Sequence, residues 1–557
     1  MPQTAMTQGI EAETQARVRA VRLPSSPLAA ERLAVVGVAG ITLLAAVFLV
    51  HQLMAWPPHE DEALALLVGR DSLPGVVEHV TQERGGAPLH FLIAWAVAHL
   101  GFGLGGLRLV SAAFAVASLP LVALLGARLA GRRAAVVATA LVAPSWLFLF
   151  HGVYGRMYSL FLFCSLACTL ALLAALDRGG RARWALWVGT GLLAAAAHPY
   201  ALLLLAGQAA YVIVSRRDRL REAALAGAAL LVLGTPFWLT DLVLVDRVDV
   251  GVGGGGGGQK LGGPEAVARY LWRSLGDATA GWWPVTAAVL VVAVAGRVAL
   301  RRSARSFVLC SVGVTAAAFA LAKLGGSASP ESRHLIFLAP LVAIALAAAI
   351  VRLGRRQPAL VVAAVVALVG LEVAWAWNRT PALFEWEPDL RQAARAEAEA
   401  WLALTSRPDD VFFGYEPLYL GAWERDRRVA RIVVPRADAG LALRTIEREA
   451  PLGRGVWVLD ASERNNMRRR LEIDRRLPTP AEAFEARTFG PFLVLRTREP
   501  TVTPEAYLYH AARALLVGRH PSLGIGDVDV NLRTVVLASR ELRGYGPSLR
   551  SRSSTSR

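Results

Sequence analysis

The chain has 557 residues, 55% of them hydrophobic and only 18% charged, with a formal net charge of +17 and a mean hydropathy of +0.43. Soluble chains carry about 45–50% apolar and about 25% charged residues, so the composition excludes a disordered chain and a purely soluble enzyme. A nucleic-acid binder would gather its excess charge on one basic face, and here the charge is spread by topology instead.

Residues 1–32 are polar and carry Arg17, Arg19, Arg22 and Arg32, which reads as a cytoplasmic N-terminal segment. The apolar run from Leu33 to Leu53 is long for a signal-peptide core and has no small-residue cleavage site, so it reads as an uncleaved span. Further spans are expected near 107–127, 134–151, 157–176, 184–199, 200–215, 222–243, 284–300, 306–323, 334–351 and 357–377, eleven in all. The segment from Leu89 to Phe102 is short for a crossing of about 20 residues and is read as a re-entrant or interfacial helix. Cys164, Cys168 and Cys310 lie inside apolar runs and read as small core fillers, without disulfide or zinc spacing.

The charge distribution sets the orientation. With 89–102 not crossing, the inner segments hold 21 of the 31 basic residues in 1–378 and only six acids, as the positive-inside rule requires. If 89–102 crossed, the five later basic loops would all move outside. Most of the +17 is therefore a topology signal. The outer side then receives loops 55–106 and 244–283 and everything after Trp377. Trp56, Trp282, Trp283, Trp375 and Trp377 fall at outer ends, as an aromatic belt does. The run Gly253–Gly258 lacks the Gly-Lys-Ser/Thr of a phosphate loop and reads as a flexible connection. The membrane domain is thus 33–378.

Beyond it the composition changes. Short β-type runs at 411–413, 431–434, 455–459 and 492–495 alternate with helical patterns at 389–405, 439–449, 463–475 and 504–518. That alternation predicts an extracytoplasmic α/β domain over 379–545, and the Ser/Arg-rich end, 546–557, reads as a disordered tail. The fold class expected is a polytopic α-helical membrane protein with a C-terminal α/β domain.

Five polar clusters fall on the outer side: His59-Glu60-Asp61-Glu62, the stretch from Glu83 to His90, the stretch from His151 to Tyr158, His198-Pro199-Tyr200, and Glu331-Ser332-Arg333-His334. Acids and histidines at a membrane edge are costly unless solvated, metal-bound or catalytic. The bland reading of the first cluster is helix capping, since acids suit a helix N-terminus. On a helix Glu62 is turned about 100° from Asp61, so the two acids need not share a role. The bland reading of an outer arginine is a snorkelling anchor, and that of a lone histidine is a hydrogen-bonded helix end.

The order of motifs resembles a known family. An acidic pair after the first span is followed by Pro88-Leu89, Leu107-Arg108-Leu109-Val110-Ser111, a basic turn from Ala127 to Arg133, and Gly155-Arg156-Met157-Tyr158. Over roughly 33–340 the chain looks like the GT-C glycosyltransferases, in the branch of protein O-mannosyltransferases and the lipid A aminoarabinose transferase. The resemblance implies a polyprenyl-phosphate sugar donor, a membrane-lipid environment, and inverting transfer to an acceptor hydroxyl on a glycan, lipid or protein. It implies Asp61 as general base, and Glu62 as a second acid that orients the acceptor or, with Asp61, holds a divalent metal such as Mg or Mn. It implies Arg156 and Arg333 at the donor phosphate, and a substrate groove lined by His59, His90, Tyr154, Tyr158, His198 and His334, with the polyprenyl tail beside the interfacial helix. The chain departs from relatives in three places. Val153-Tyr154 stands where they carry a further acid, Ala87-Pro88 replaces a doubled proline, and His90 replaces an aromatic. The competing class is a non-catalytic transporter or an envelope-assembly scaffold. A transporter would be expected to show internal repeats and mid-membrane polar breaks.

Overall fold

The computed structural model describes residues 27–249, 264–296, 299–324, 331–384, 390–434, 452–460 and 484–500. The expected disordered tail, the glycine run and the helical patterns at 439–449, 463–475 and 504–518 lie outside the described residues.

The chain enters through α1 (Pro27–His51), whose Leu33, Val36, Leu44 and Val47 are exposed, as suits side chains that meet lipid. The loop after α1 folds into α2 (Glu60–Gly69), α3 (Leu73–Glu78) and α4 (Pro88–His99). α4 has 12 residues and rises only about 18 Å, too short to cross about 30 Å of hydrocarbon. That agrees with the interfacial reading drawn from charge. The membrane helices follow: α5 (Gly103–Ala130), α6 (Arg132–Val142), α7 (Trp146–Val153), α8 (Tyr158–Arg178), α9 (Arg181–Ala197), α10 (Ala201–Ser215), α11 (Leu220–Leu233) and α12 (Thr235–Asp249). After the amphipathic α13 (Pro264–Asp277) come α14 (Trp283–Gly296), α15 (Arg302–Leu324), α16 (Ala339–Leu353) and α17 (Pro358–Arg379).

Six helical stretches are long and apolar enough to cross a membrane, and two bent pairs make up to eight. The expected spans 134–151 and 222–243 are those pairs, each bent by 59°. Pro144 removes a donor after α6, and Ser145 caps the new helix by accepting from the Phe148 amide. Gly234 and Pro236 stand at the second break. The expected spans 184–199, 200–215 and 284–300 form helices of 17, 15 and 14 residues, short for the hydrocarbon core if straight and upright. Eleven spans are expected from hydropathy, against six to eight helical stretches among the described residues that are long and apolar enough to cross.

One apolar core joins α5 to α10 with α16. A second core joins α2 and α4 to the C-terminal domain. That domain contains α18 (Leu390–Thr405), β1 (Val411–Phe413), α19 (Pro417–Arg425), β2 (Ile432–Val434), β3 (Gly455–Asp460), β4 (Phe484–Phe489) and β5 (Phe492–Thr497). The strand order is β2-β1-β3-β5-β4, with β1 parallel to β2 and β3, and β5 antiparallel to β3 and β4. The domain is α/β, as expected. Strand β4 and helix α19 were not expected: β4 reads Phe-Glu-Ala-Arg-Thr-Phe, with only two large apolar residues in six.

These layers position one short helix. α2 packs against both α4 and α19, and Ala65 and Leu66 between them are fully buried. Gly69 permits the approach: a Cβ there would lie 2.7 Å from the Ala94 carbonyl carbon. The N-terminus of α2 carries the acidic cluster.

Candidate active site

The acidic cluster opens α2 through reciprocal capping. His59 is the N-cap, and its Nδ1 accepts from the Asp61 amide at 3.1 Å. Glu62 reaches back so that its Oε2 accepts from the His59 amide at 3.1 Å. Capping thus accounts for part of the cluster and separates its two central acids.

Glu62 points inward. Its Oε1 accepts from Arg108 Nε at 2.8 Å and from the Gly155 amide at 2.7 Å, and its Oε2 accepts from Arg108 Nη2 at 2.7 Å. Both side chains of the pair are 0% exposed. Arg108 Nη1 donates to the carbonyls of Leu53 and Trp56, and Nη2 to that of Pro57. All five guanidinium N–H groups thereby find acceptors, which is what makes a buried charge pair tolerable. A Cβ on Gly155 would sit 3.0 Å from Glu62 Oε1, so glycine fits this junction. The catalytic and metal-binding roles expected for Glu62 do not fit this geometry: both oxygens are consumed in a clamp that ties the end of α1, the start of α2 and the Gly155 turn together.

Asp61 points the other way. Its Oδ2 accepts from the Tyr154 hydroxyl at 3.0 Å, and that hydroxyl lies 3.0 Å from His59 Nδ1. Arg156 Nη1 donates to the Asp61 carbonyl at 3.2 Å, and its Nε lies 3.7 Å from Oδ2. Burial alone would raise the Asp61 carboxyl. The charges of Arg156, His59 and Arg333 and the Tyr154 hydrogen bond outweigh it and hold the group well below the usual carboxylate range. His90 is 3% exposed, and burial, helped by the Arg156 charge, pushes it down to about 3, so it is neutral near pH 7.

The other wall is aromatic. Arg333 stacks over the Tyr158 ring at 5.1 Å, with Nη2 donating to Glu331 Oε1 at 2.9 Å. The Tyr158 ring neighbours His198 at 5.6 Å and His334 at 6.3 Å, and Tyr200 meets His334 edge-on at 5.0 Å. His198 stacks on Phe161, which packs on Phe337. Of the residues singled out from sequence, His59, Asp61, Tyr154, Arg156, Tyr158, His198, Arg333 and His334 form one continuous set. His90 lies within electrostatic reach of Asp61 and Arg156, and Glu62 lies behind.

Two residues gain importance that sequence reasoning did not assign. Arg108 completes the Glu62 clamp. His151 is 1% exposed, packs on Tyr158 at 4.8 Å, and has no hydrogen-bond partner for either ring nitrogen among the described residues. It is therefore not the bonded helix-end histidine that its position suggests. Arg156 Nε is also without a hydrogen-bond partner among the described residues. Unsatisfied donors beside a carboxylate and a stacked arginine suit a polar ligand with several acceptor oxygens. A divalent cation fits less well. No group of three or more His, Cys, Asp or Glu side chains among the described residues could hold one, Glu62 is spent on Arg108, and Asp61 faces two arginines.

A small cavity, with room for about one water molecule, lies within the membrane domain, lined by Ser165, Leu204, Phe307, Phe337 and Leu341 among others. It sits between α8, α10, α15 and α16, and none of its lining residues comes from α4, beside which the tail groove was expected.

No protein-family model matches the sequence, and no curated protein sequence does. Solved structures do resemble the fold. ArnT from Cupriavidus metallidurans in the apo state is similar over 82% of this chain and 97% of its own, at TM-score 0.53 and 15% identity. The same protein bound to undecaprenyl phosphate gives 0.52 and 14% over the same shares. The Archaeoglobus fulgidus oligosaccharyltransferase tethered with an acceptor peptide is a looser likeness, at TM-score 0.44 and 14% identity over 77% of this chain and 69% of its own. At such identities the likeness is one of architecture: the chain is a multi-pass membrane protein that shares the fold of ArnT.

Proposed function

We propose that the protein is a glycosyltransferase of the cell membrane, its N-terminus cytoplasmic, that moves a sugar from a polyprenyl-phosphate donor to an acceptor hydroxyl on the outer face. The observation that carries this reading is the carboxylate of Asp61, held at the mouth of the site against Arg156 and Arg333 and within reach of unsatisfied donors. The fold shared with ArnT, which has been solved with undecaprenyl phosphate, supports the choice of donor.

The chemistry follows from the charges. The acceptor oxygen bonds to the anomeric carbon while the bond from that carbon to the phosphate oxygen breaks, its electron pair leaving on the phosphate. Attack opposite the leaving group inverts the centre. Asp61 takes the hydroxyl proton. Arg156 and Arg333 meet the charge growing on the phosphate. An ionised carboxylate paired with two arginines is a weak base. A bound phosphate competes for those guanidiniums, so the donor itself restores basicity to Asp61 at the moment it is needed. Glu62 holds the turn of Gly155-Arg156 in register and touches no substrate. No metal step enters.

The test uses the purified full chain, undecaprenyl-phosphate hexose or pentose, and release of undecaprenyl phosphate as the readout. Asp61→Asn is expected to abolish release while retaining fold and lipid binding. Absence of release from every donor, together with no binding of undecaprenyl phosphate, refutes the reading and leaves the transporter or scaffold class.

A further inference from the structure

Arg333 sits on the short 3₁₀ stretch Ser332–Leu338, an element with poor hydrogen-bond geometry of its own. A capping box between Glu331 and His334 closes its first turn, and contacts from outside the element fix where that turn sits. Two contacts from α13 do so. The Tyr270 hydroxyl donates to the Glu331 carbonyl at 2.8 Å, and the Ser332 hydroxyl donates to Asp277 Oδ2 at 2.6 Å. Asp277 is 3% exposed and is itself braced from α17: Trp375 Nε1 donates to Oδ1 at 3.3 Å, and Arg379 Nε lies 3.5 Å from the same oxygen. Asp277 therefore joins three separate segments at a point one residue from Arg333. It faces Ser332, Trp375 and Arg379.

A buried carboxylate is an expensive way to join helices, because apolar side chains of similar volume pack them as well or better. Its geometry explains it better. Arg333 holds its guanidinium 5.1 Å over Tyr158 while its charge bears on Asp61, and a small rotation of the 331–334 turn would displace it. We propose that Asp277 is a positioning residue for Arg333: acting through Ser332, it fixes the turn that aims the guanidinium at the donor phosphate. The inference rests on the donor-phosphate reading of Arg333.

The experiment measures binding of undecaprenyl phosphate to the full chain, and KM and kcat for donor, in Asp277→Asn, Ser332→Ala and each of these combined with Arg333→Ala. Alone, each substitution is expected to weaken phosphate binding and raise donor KM about tenfold, the effect of loosening one charge-assisted hydrogen bond, with kcat at saturating donor little changed. In the Arg333→Ala background each is expected to add less than about twofold, because the group it acts through is gone. Ser332→Ala removes only the hydroxyl, so it decides the matter if Asp277→Asn does not fold. Equal effects in both backgrounds would show Asp277 to be a general brace and overturn the proposal, as would wild-type binding in both single variants. If the wild-type chain binds no undecaprenyl phosphate, the donor reading falls and this inference with it. If it binds and Arg333→Ala weakens it while the Asp277 and Ser332 variants do not, only the positioning role falls.

Discussion

The division of labour between Asp61 and Glu62 makes a quantitative prediction. Glu62→Gln keeps the shape of the side chain but replaces one acceptor oxygen with an NH2 group. Of the four hydrogen bonds to the carboxylate, the two made by Oε1 can survive. The two made by Oε2, from Arg108 Nη2 and from the His59 amide, are lost or become donor against donor. Arg108 is left as a buried cation without its counter-charge. Breaking such a pair costs about 3–5 kcal/mol, which for a chain of 557 residues corresponds to a drop in Tm of about 3–4 °C, because the unfolding entropy scales with length. The assay is thermal denaturation of the purified protein in detergent, set beside donor KM and kcat measured well below the lowered Tm. Glu62→Gln is expected to lose stability first, with activity falling as Arg156 loses its register. Changing both partners, Glu62→Leu with Arg108→Met, should recover much of the stability, since it leaves no unpaired charge. Full thermal stability in Glu62→Gln with kcat abolished would refute the clamp and return Glu62 to the reacting groups.

Asp61→Asn is expected to show the opposite pattern, with transfer lost by at least a hundredfold, on the scale of a missing general base, and a Tm unchanged from wild type by the same melting assay. Because the Asp61 carboxyl is held low, its contribution to stability is present above about pH 4 and is lost only as pH falls through the lowered value, so kcat/KM should show no acid limb from Asp61 between about pH 5 and 7. Tyr154→Phe removes a hydrogen bond to the charged form and should move that limb upward, read from the pH profile of kcat/KM. His151→Phe keeps the ring contact with Tyr158 and deletes both unpartnered nitrogens; donor KM should rise severalfold if they meet the ligand, and an unchanged KM would make the histidine a packing residue. For topology, a cysteine at the exposed position Glu265 should label from outside and one at Ser303 only after permeabilisation, and the reverse pattern would overturn the orientation.

Much of this fold was legible because lipid imposes a coarse grammar. Arginine placement argued for an interfacial α4 rather than a spanning one, and α4 has only 12 residues. Hydropathy could not see the breaks at Pro144 and Gly234, because it sums apolar side chains and says nothing of axis direction, so two expected spans turned out bent by 59°. The site divides along the same line. His59, Asp61, Tyr154, Arg156, Tyr158, His198, Arg333 and His334 come from four stretches that the expected topology puts on one side, and that expectation was enough to group them. The residues that hold them were hidden. Arg108, on an apolar helix, looks like any snorkelling arginine, and only the closed geometry of Glu62, the Gly155 amide and three carbonyls reveals a fully satisfied buried cation. Asp277 follows a glycine at the end of an amphipathic helix and gives no local signal. Its partners Ser332 and Trp375 are 55 and 98 residues away. The few acids of so basic a chain are thus of two kinds. Asp61 faces the site, where its charge is available to a reacting proton. Glu62 and Asp277 are buried against arginine, serine and tryptophan, and they serve by keeping Arg156 and Arg333 where a phosphate would meet them.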